Sequence, residues 1–113
     1  MRAVLRVDPP LLRDVFEHSL NQAGIDVVAT PSDSLALLVA VKECQPDVVF
    51  LTAQDVEVPP GICSHLFTEF PQLKVVMLSN DKYAIAEVGV RILHRDDLSV
   101  ESIRTALLKI LSA

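Results

Sequence analysis

The sequence predicts a doubly wound α/β domain, a mostly parallel sheet with helices on both faces. Three observations predict it. Val48-Val49-Phe50-Leu51 and Val75-Val76-Met77-Leu78 are apolar at every position, which suits strands covered on both faces. Between such runs lie stripes at helical spacing, so strands and helices alternate. Gly24, Gly61 and Gly89 all fall at predicted element boundaries. In sheets of this kind the ligand site lies off the carboxyl ends of the strands. Thr52, which closes the run from Val48, is therefore expected at the domain's site.

Taken in order, Ala3–Val7 reads as a short first strand with Arg6 as its odd member. Asp8-Pro9-Pro10 ends it, and proline suits a helix's first turn. Leu11, Leu12, Val15, Phe16 and Leu20 follow at helical spacing, with Gly24 at the C-terminal cap. Ile25–Ala29 is the second strand. Ser32 or Ser34 would cap the second helix, which runs to about Cys44. Leu35–Val41 is apolar without a break, where a helix lying on a sheet should show a polar stripe. Either alanines and edge positions absorb the excess, or the helix offers a partner face. The third strand ends at Thr52, and the loop from Ala53 to Gly61 carries Asp55. Ile62, Cys63, Leu66, Phe67 and Phe70 form the third helical stripe. The fourth strand runs from Lys74 and ends at Ser79. Asp81–Val88 allows about two helical turns. Arg91–His94 is a short fifth strand. Ser99 caps a last helix that buries Val100, Ile103, Leu107 and Ile110. The pattern is (βα)5 with right-handed crossovers.

Composition bounds the function. The chain has 113 residues, enough for a single domain spanning 1–113. Half of it is hydrophobic but only 4% aromatic, and its formal charge is −5. Lys and Arg are scattered singly, which argues against a nucleic-acid surface on this chain. Two cysteines, Cys44 and Cys63, suit a reducing cytosol, and no apolar run is long enough for a signal peptide or a membrane span. A cytoplasmic setting is expected. Cys63 and His65 lack a second ligand pair for a metal. No G-x-G-x-x-G follows the first strand, so a dinucleotide site is not expected. Neither a phosphatase nucleophile loop nor a flavin phosphate loop is present, and no enzymatic activity is expected.

Four phrases in order carry a family resemblance: Val7-Asp8-Pro9-Pro10-Leu11-Leu12-Arg13, Gln45–Leu51, Phe70–Ser79 and Ile92–Ser99. With them the chain resembles the receiver domains of two-component response regulators, most of all those that precede a LuxR-type helix-turn-helix. The resemblance implies a flavodoxin-like fold with strand order 2-1-3-4-5, here with a shortened fourth helix. It implies a crevice formed by Val7, Asp8, Thr52, Ser79 and Arg95. In the family an aspartate at the end of strand three accepts a phosphoryl group, and here that position is Thr52. Two acids after strand one hold Mg²⁺; here the first is Val7 and only Asp8 remains. The lysine of strand five is matched by Arg95, the hydroxyl of strand four by Ser79, and the aromatic switch residue by Ile92.

These departures agree with one another, and the resemblance then implies an aspartate-less receiver. It would work as a phosphorylation-independent interaction module, with Mg²⁺ binding weak or absent and no other cofactor. An ion pair between Asp8 and Arg95 is expected to fill the vacated crevice. Two alternatives stand beside this reading: a phosphorylatable receiver with its acceptor moved to Asp55, and a small-ligand-binding domain of the same architecture. Ser79 is either a relic hydroxyl or a cap for the short fourth helix. The expected partner is another protein or a second copy, through Leu37 and Val41 of the second helix or Leu108 and Leu111 of the last. Two settings are expected: a stand-alone module, or a domain placed ahead of an attached effector such as a DNA-binding domain in the full gene product.

Overall fold

The computed structural model describes residues 1–53, 61–79, 82–87, 90–95 and 99–111, with 90–95 and 110–111 described by backbone alone. Ten elements follow in order: β1 (Arg2–Arg6), α1 (Pro10–Gln22), β2 (Asp26–Ala29), α2 (Ser34–Cys44), β3 (Val48–Thr52), α3 (Ile62–Glu69), β4 (Lys74–Ser79), β5 (Lys82–Glu87), β6 (Val90–Arg95) and α4 (Val100–Leu111). The strands form one sheet in the order β2-β1-β3-β4-β5-β6. β1 pairs in parallel with β2 and β3, and β3 with β4. β5 is antiparallel to both its neighbours. The 2-1-3-4 order of the parallel strands is that of the flavodoxin-like fold.

Alternation along the strands divides the core into two layers. Leu5, Phe50, Val76 and Ile85 point to the layer built on Phe16 and Leu20 of α1 and Ile103 and Leu107 of α4. Val4, Leu51, Met77 and Ala84 point to the layer built on Leu37 and Val41 of α2 and Cys63 and Leu66 of α3. A strand with every residue buried is what two covered faces require. The expected stripe on α1 is narrower than its spacing suggested. Phe16 and Leu20 are buried, whereas Leu11, Leu12 and Val15 are exposed.

One element differs in kind. The fourth helix expected over Asp81–Val88 is instead a strand, β5, so the chain is not a strict (βα)5 repeat. Tyr83 and Ile85 enter the α1/α4 layer, and Ala84 and Ala86 enter the α2/α3 layer. A two-turn helix would have buried a single stripe. A central strand buries all four residues. The cross-strand pairs Ser79–Lys82 and Glu87–Val90 leave two residues for each connection. The sequence there reads Asn80-Asp81 and Val88-Gly89, and these four residues lie outside the described ones. The strand expected fifth is therefore β6, one place further out.

Helix starts follow local chemistry. α2 is capped by Asp33, not by Ser32 or Ser34: an Asp33 carboxylate oxygen accepts the Ala36 N–H at 2.7 Å. Ser99 caps α4, its Oγ accepting the Ser102 N–H at 3.0 Å. Gly24 follows α1 with φ +85°, a conformation that suits glycine. No helix among the described residues is long and apolar enough to cross a membrane.

Candidate functional site

Parallel strands bring their carboxyl ends to one edge of the sheet. At that edge β1 leads into Val7 and Asp8, β3 ends at Thr52 and β4 ends at Ser79. Val7 is 2% exposed and belongs to the α1/α4 core layer. Asp8 is exposed. Its backbone N–H donates to Thr52 Oγ1 at 3.4 Å, a long contact that joins the ends of β1 and β3. The chain after β3 stays on the sheet, with the Ala53 N–H donating to the Leu78 carbonyl at 2.8 Å.

Ser79 closes β4, half-buried, and faces Lys82 across the antiparallel pair. Because no helix follows it, the role of helix cap falls away. Lys82 is the site residue that sequence reasoning missed. β5 runs against β4, so its first residue, the exposed Lys82, lies at the carboxyl edge, paired with Ser79 in the strand register. The two-residue spacing of Asn80-Asp81 was the signal for it.

Arg95 ends β6 and pairs with Tyr83. The inserted strand leaves β1 and β6 four strand spacings apart, about 19 Å at roughly 4.8 Å per strand. The expected Asp8–Arg95 ion pair would have to bridge that separation. The side chains of Arg95 and of the switch position Ile92 lie outside the described residues, as does Asp55 altogether.

Arg6 adds a feature of its own. Strand alternation sets it on the α2/α3 face, and its Nε is buried without a hydrogen-bond partner. A desolvated guanidinium nitrogen is costly unless paired. It holds positive charge two residues before Asp8. Among the described residues no group of three or more His, Cys, Asp or Glu side chains is arranged to hold a metal ion.

The proposed interface residues divide. Leu37 is fully buried and Val41 is 1% exposed, so both are core residues of the α2/α3 layer and not a docking face. The unbroken apolar run of α2 resolves into an inner side, Leu37 and Val41, and an outer side, Leu35 and Val39, which are exposed. Leu108 of α4 is exposed, and the Leu111 side chain lies outside the described residues.

No family model and no solved structure matches the chain. Curated relatives do. The oxygen regulatory protein NreC of Staphylococcus epidermidis (strain ATCC 12228 / FDA PCI 1200) is 33% identical over 85 residues, 70% of this chain. NreC of Staphylococcus aureus is 32% identical over 85 residues, in strains JH9 and NCTC 8325 / PS 47 among others. The match covers 38% of each relative's length, so the chain spans well under half of these proteins. NreC is a response regulator with a receiver domain. On that kinship and on its flavodoxin-like sheet, the chain is similar to the receiver domains of response regulators.

Proposed function

We propose that this domain is an aspartate-less receiver that signals by protein contact and accepts no phosphoryl group. The observation that carries the reading is the hydroxyl at the end of β3. Thr52 stands where the family's acceptor carboxylate stands, and its Oγ1 lies against the Asp8 N–H at 3.4 Å. A threonine cannot become an acyl phosphate.

The surroundings support the same reading. Val7, at the position of the first metal acid, is an apolar core residue. Among the described residues at the ends of β1, β3 and β4, Asp8 is the one carboxylate, and a single carboxylate is a poor seat for a divalent cation that needs several oxygen ligands. Arg6 nearby further disfavours a cation by charge. Mg²⁺ binding is accordingly weak or absent. The contact surface would use Leu35 and Val39 on the outer side of α2, or Leu108 on α4, toward a protein partner or a second copy. In a longer gene product the domain would govern an attached effector, and the matched relatives are longer proteins.

Intact mass after incubation with Mg²⁺ and acetyl phosphate tests the reading. No mass gain is expected. A gain of one phosphoryl group that disappears in Asp55→Asn would replace this proposal with a relocated acceptor.

A further inference from the structure

We propose that the amino edge of the sheet, opposite the receiver crevice, carries a second binding site, for a small organic cation with an apolar body. A cavity of about 370 Å³ opens there between the ends of α2 and α3. That volume lies in the range of small-molecule sites, about 300–1,000 Å³. Val41, Pro46, Phe70 and Leu73 supply apolar wall, and Asp47 and Glu69 supply carboxylates.

The electrostatics of the cavity come from three sources of one sign. Both helices point their carboxyl ends at it, since α2 ends at Cys44 and α3 at Glu69. The last carbonyls of a helix lack intrahelical partners and carry its partial negative charge. Gln45, left-handed at φ 48°, closes α2 and turns the chain along the cavity wall. Asp47 is pinned in place: its Oδ2 accepts the Arg2 N–H at 2.8 Å, and its own N–H donates to the Arg2 carbonyl at 2.9 Å. Glu69 adds a second, exposed carboxylate.

The nearby cations are Arg2, which meets Asp47 through its backbone, Lys42 and Lys74, and none of the three lines the cavity. Lys74 Nζ is drawn to Glu87 at 2.7 Å and to the Gln72 carbonyl at 3.2 Å. Lys42, in the last turn of α2, is exposed and does not line the cavity. An arylalkyl amine matches the site: its ring packs on Phe70 and the proline while its ammonium meets the carboxylates and helix carbonyls.

Nuclear magnetic resonance titration of the full chain with phenethylamine, 2-phenylethanol and phenylacetate tests the proposal. The amine is expected to give saturable shifts confined to Gln45–Asp47 and Glu69–Leu73. The alcohol should bind about fivefold more weakly, the scale of helix-end electrostatics, and the carboxylate should give no saturable shifts. Glu69→Gln, at an exposed position, should weaken the amine alone and leave the unfolding midpoint in place. Equal binding of amine and alcohol, shifts elsewhere on the chain, or no saturation by the amine would each overturn the proposal.

Discussion

At Asp33 one carboxylate oxygen determines where α2 begins, by taking the Ala36 N–H that the first turn leaves without a partner. Asp33→Ala should therefore cost about 1 kcal/mol, read from the urea midpoint, while Ser32→Ala and Ser34→Ala should change it little. The residues of α2 separate just as sharply. Leu37→Ala empties a fully buried position and should cost about 2–5 kcal/mol. Leu35→Ser and Val39→Ser alter exposed side chains and should stay within about 0.5 kcal/mol. If those two surface changes also abolish association seen by light scattering, the outer side of α2 is the contact face; unchanged association would assign contact to another surface. The apolar run alone did not distinguish the two sides, because Leu, Ala and Val fill both. Their burial depends on where the sheet lies beneath the helix. Thr52 and Asp8 were legible for the opposite reason. A strand end after four apolar residues has one place to go in a parallel sheet, and the crevice lies there.

Among the elements, β5 carries the largest consequence. It widens the sheet, moves β6 outward, and brings Lys82 to the carboxyl edge beside Ser79. Its pairing predicts cross-strand proton contacts between Met77 and Ala84 and between Val76 and Ile85 in nuclear magnetic resonance spectra. Sequential helical contacts over 82–87 would instead restore the short helix. β5 is also tied to α4, with Tyr83 Oη and Ser102 Oγ 2.9 Å apart. Tyr83→Phe should cost about 1 kcal/mol. A double-mutant cycle with Ser102→Ala should return a coupling of about that size, since the two hydroxyls share one hydrogen bond. The expectation of a helix here rested on the alternation of strands and helices and on a span, Asp81–Val88, that allows about two helical turns. The residues themselves held the better signal: Tyr, Ala, Ile and Ala in unbroken succession, flanked by Asn-Asp and by a glycine. What they could not show was that both faces of the strand would be covered, by α1/α4 on one side and α2/α3 on the other.

Over the whole molecule, two apolar layers share one sheet, and β3 lies near its centre, feeding Phe50 to one layer and Leu51 to the other. The Phe50 and Phe16 rings meet at 6.1 Å between centroids. Phe50→Ala should cost about 3–5 kcal/mol and Leu51→Ala about 2–5 kcal/mol. Both should lower the midpoint of a single unfolding transition, coincident by fluorescence and far-ultraviolet circular dichroism, because neither layer can persist once the common sheet is lost. Two separate transitions would show the layers to be independent. The sequence by itself determined the parallel strands and the positions at their carboxyl ends, Thr52 among them, since unbroken apolar runs and chain order constrain these locally. Only the tertiary structure decided which side of α2 faces outward, that residues 82–87 form a strand, and that β6 lies four strand places from β1. Each of those depends on what lies across the sheet, a contact between residues distant in the chain that no local period encodes.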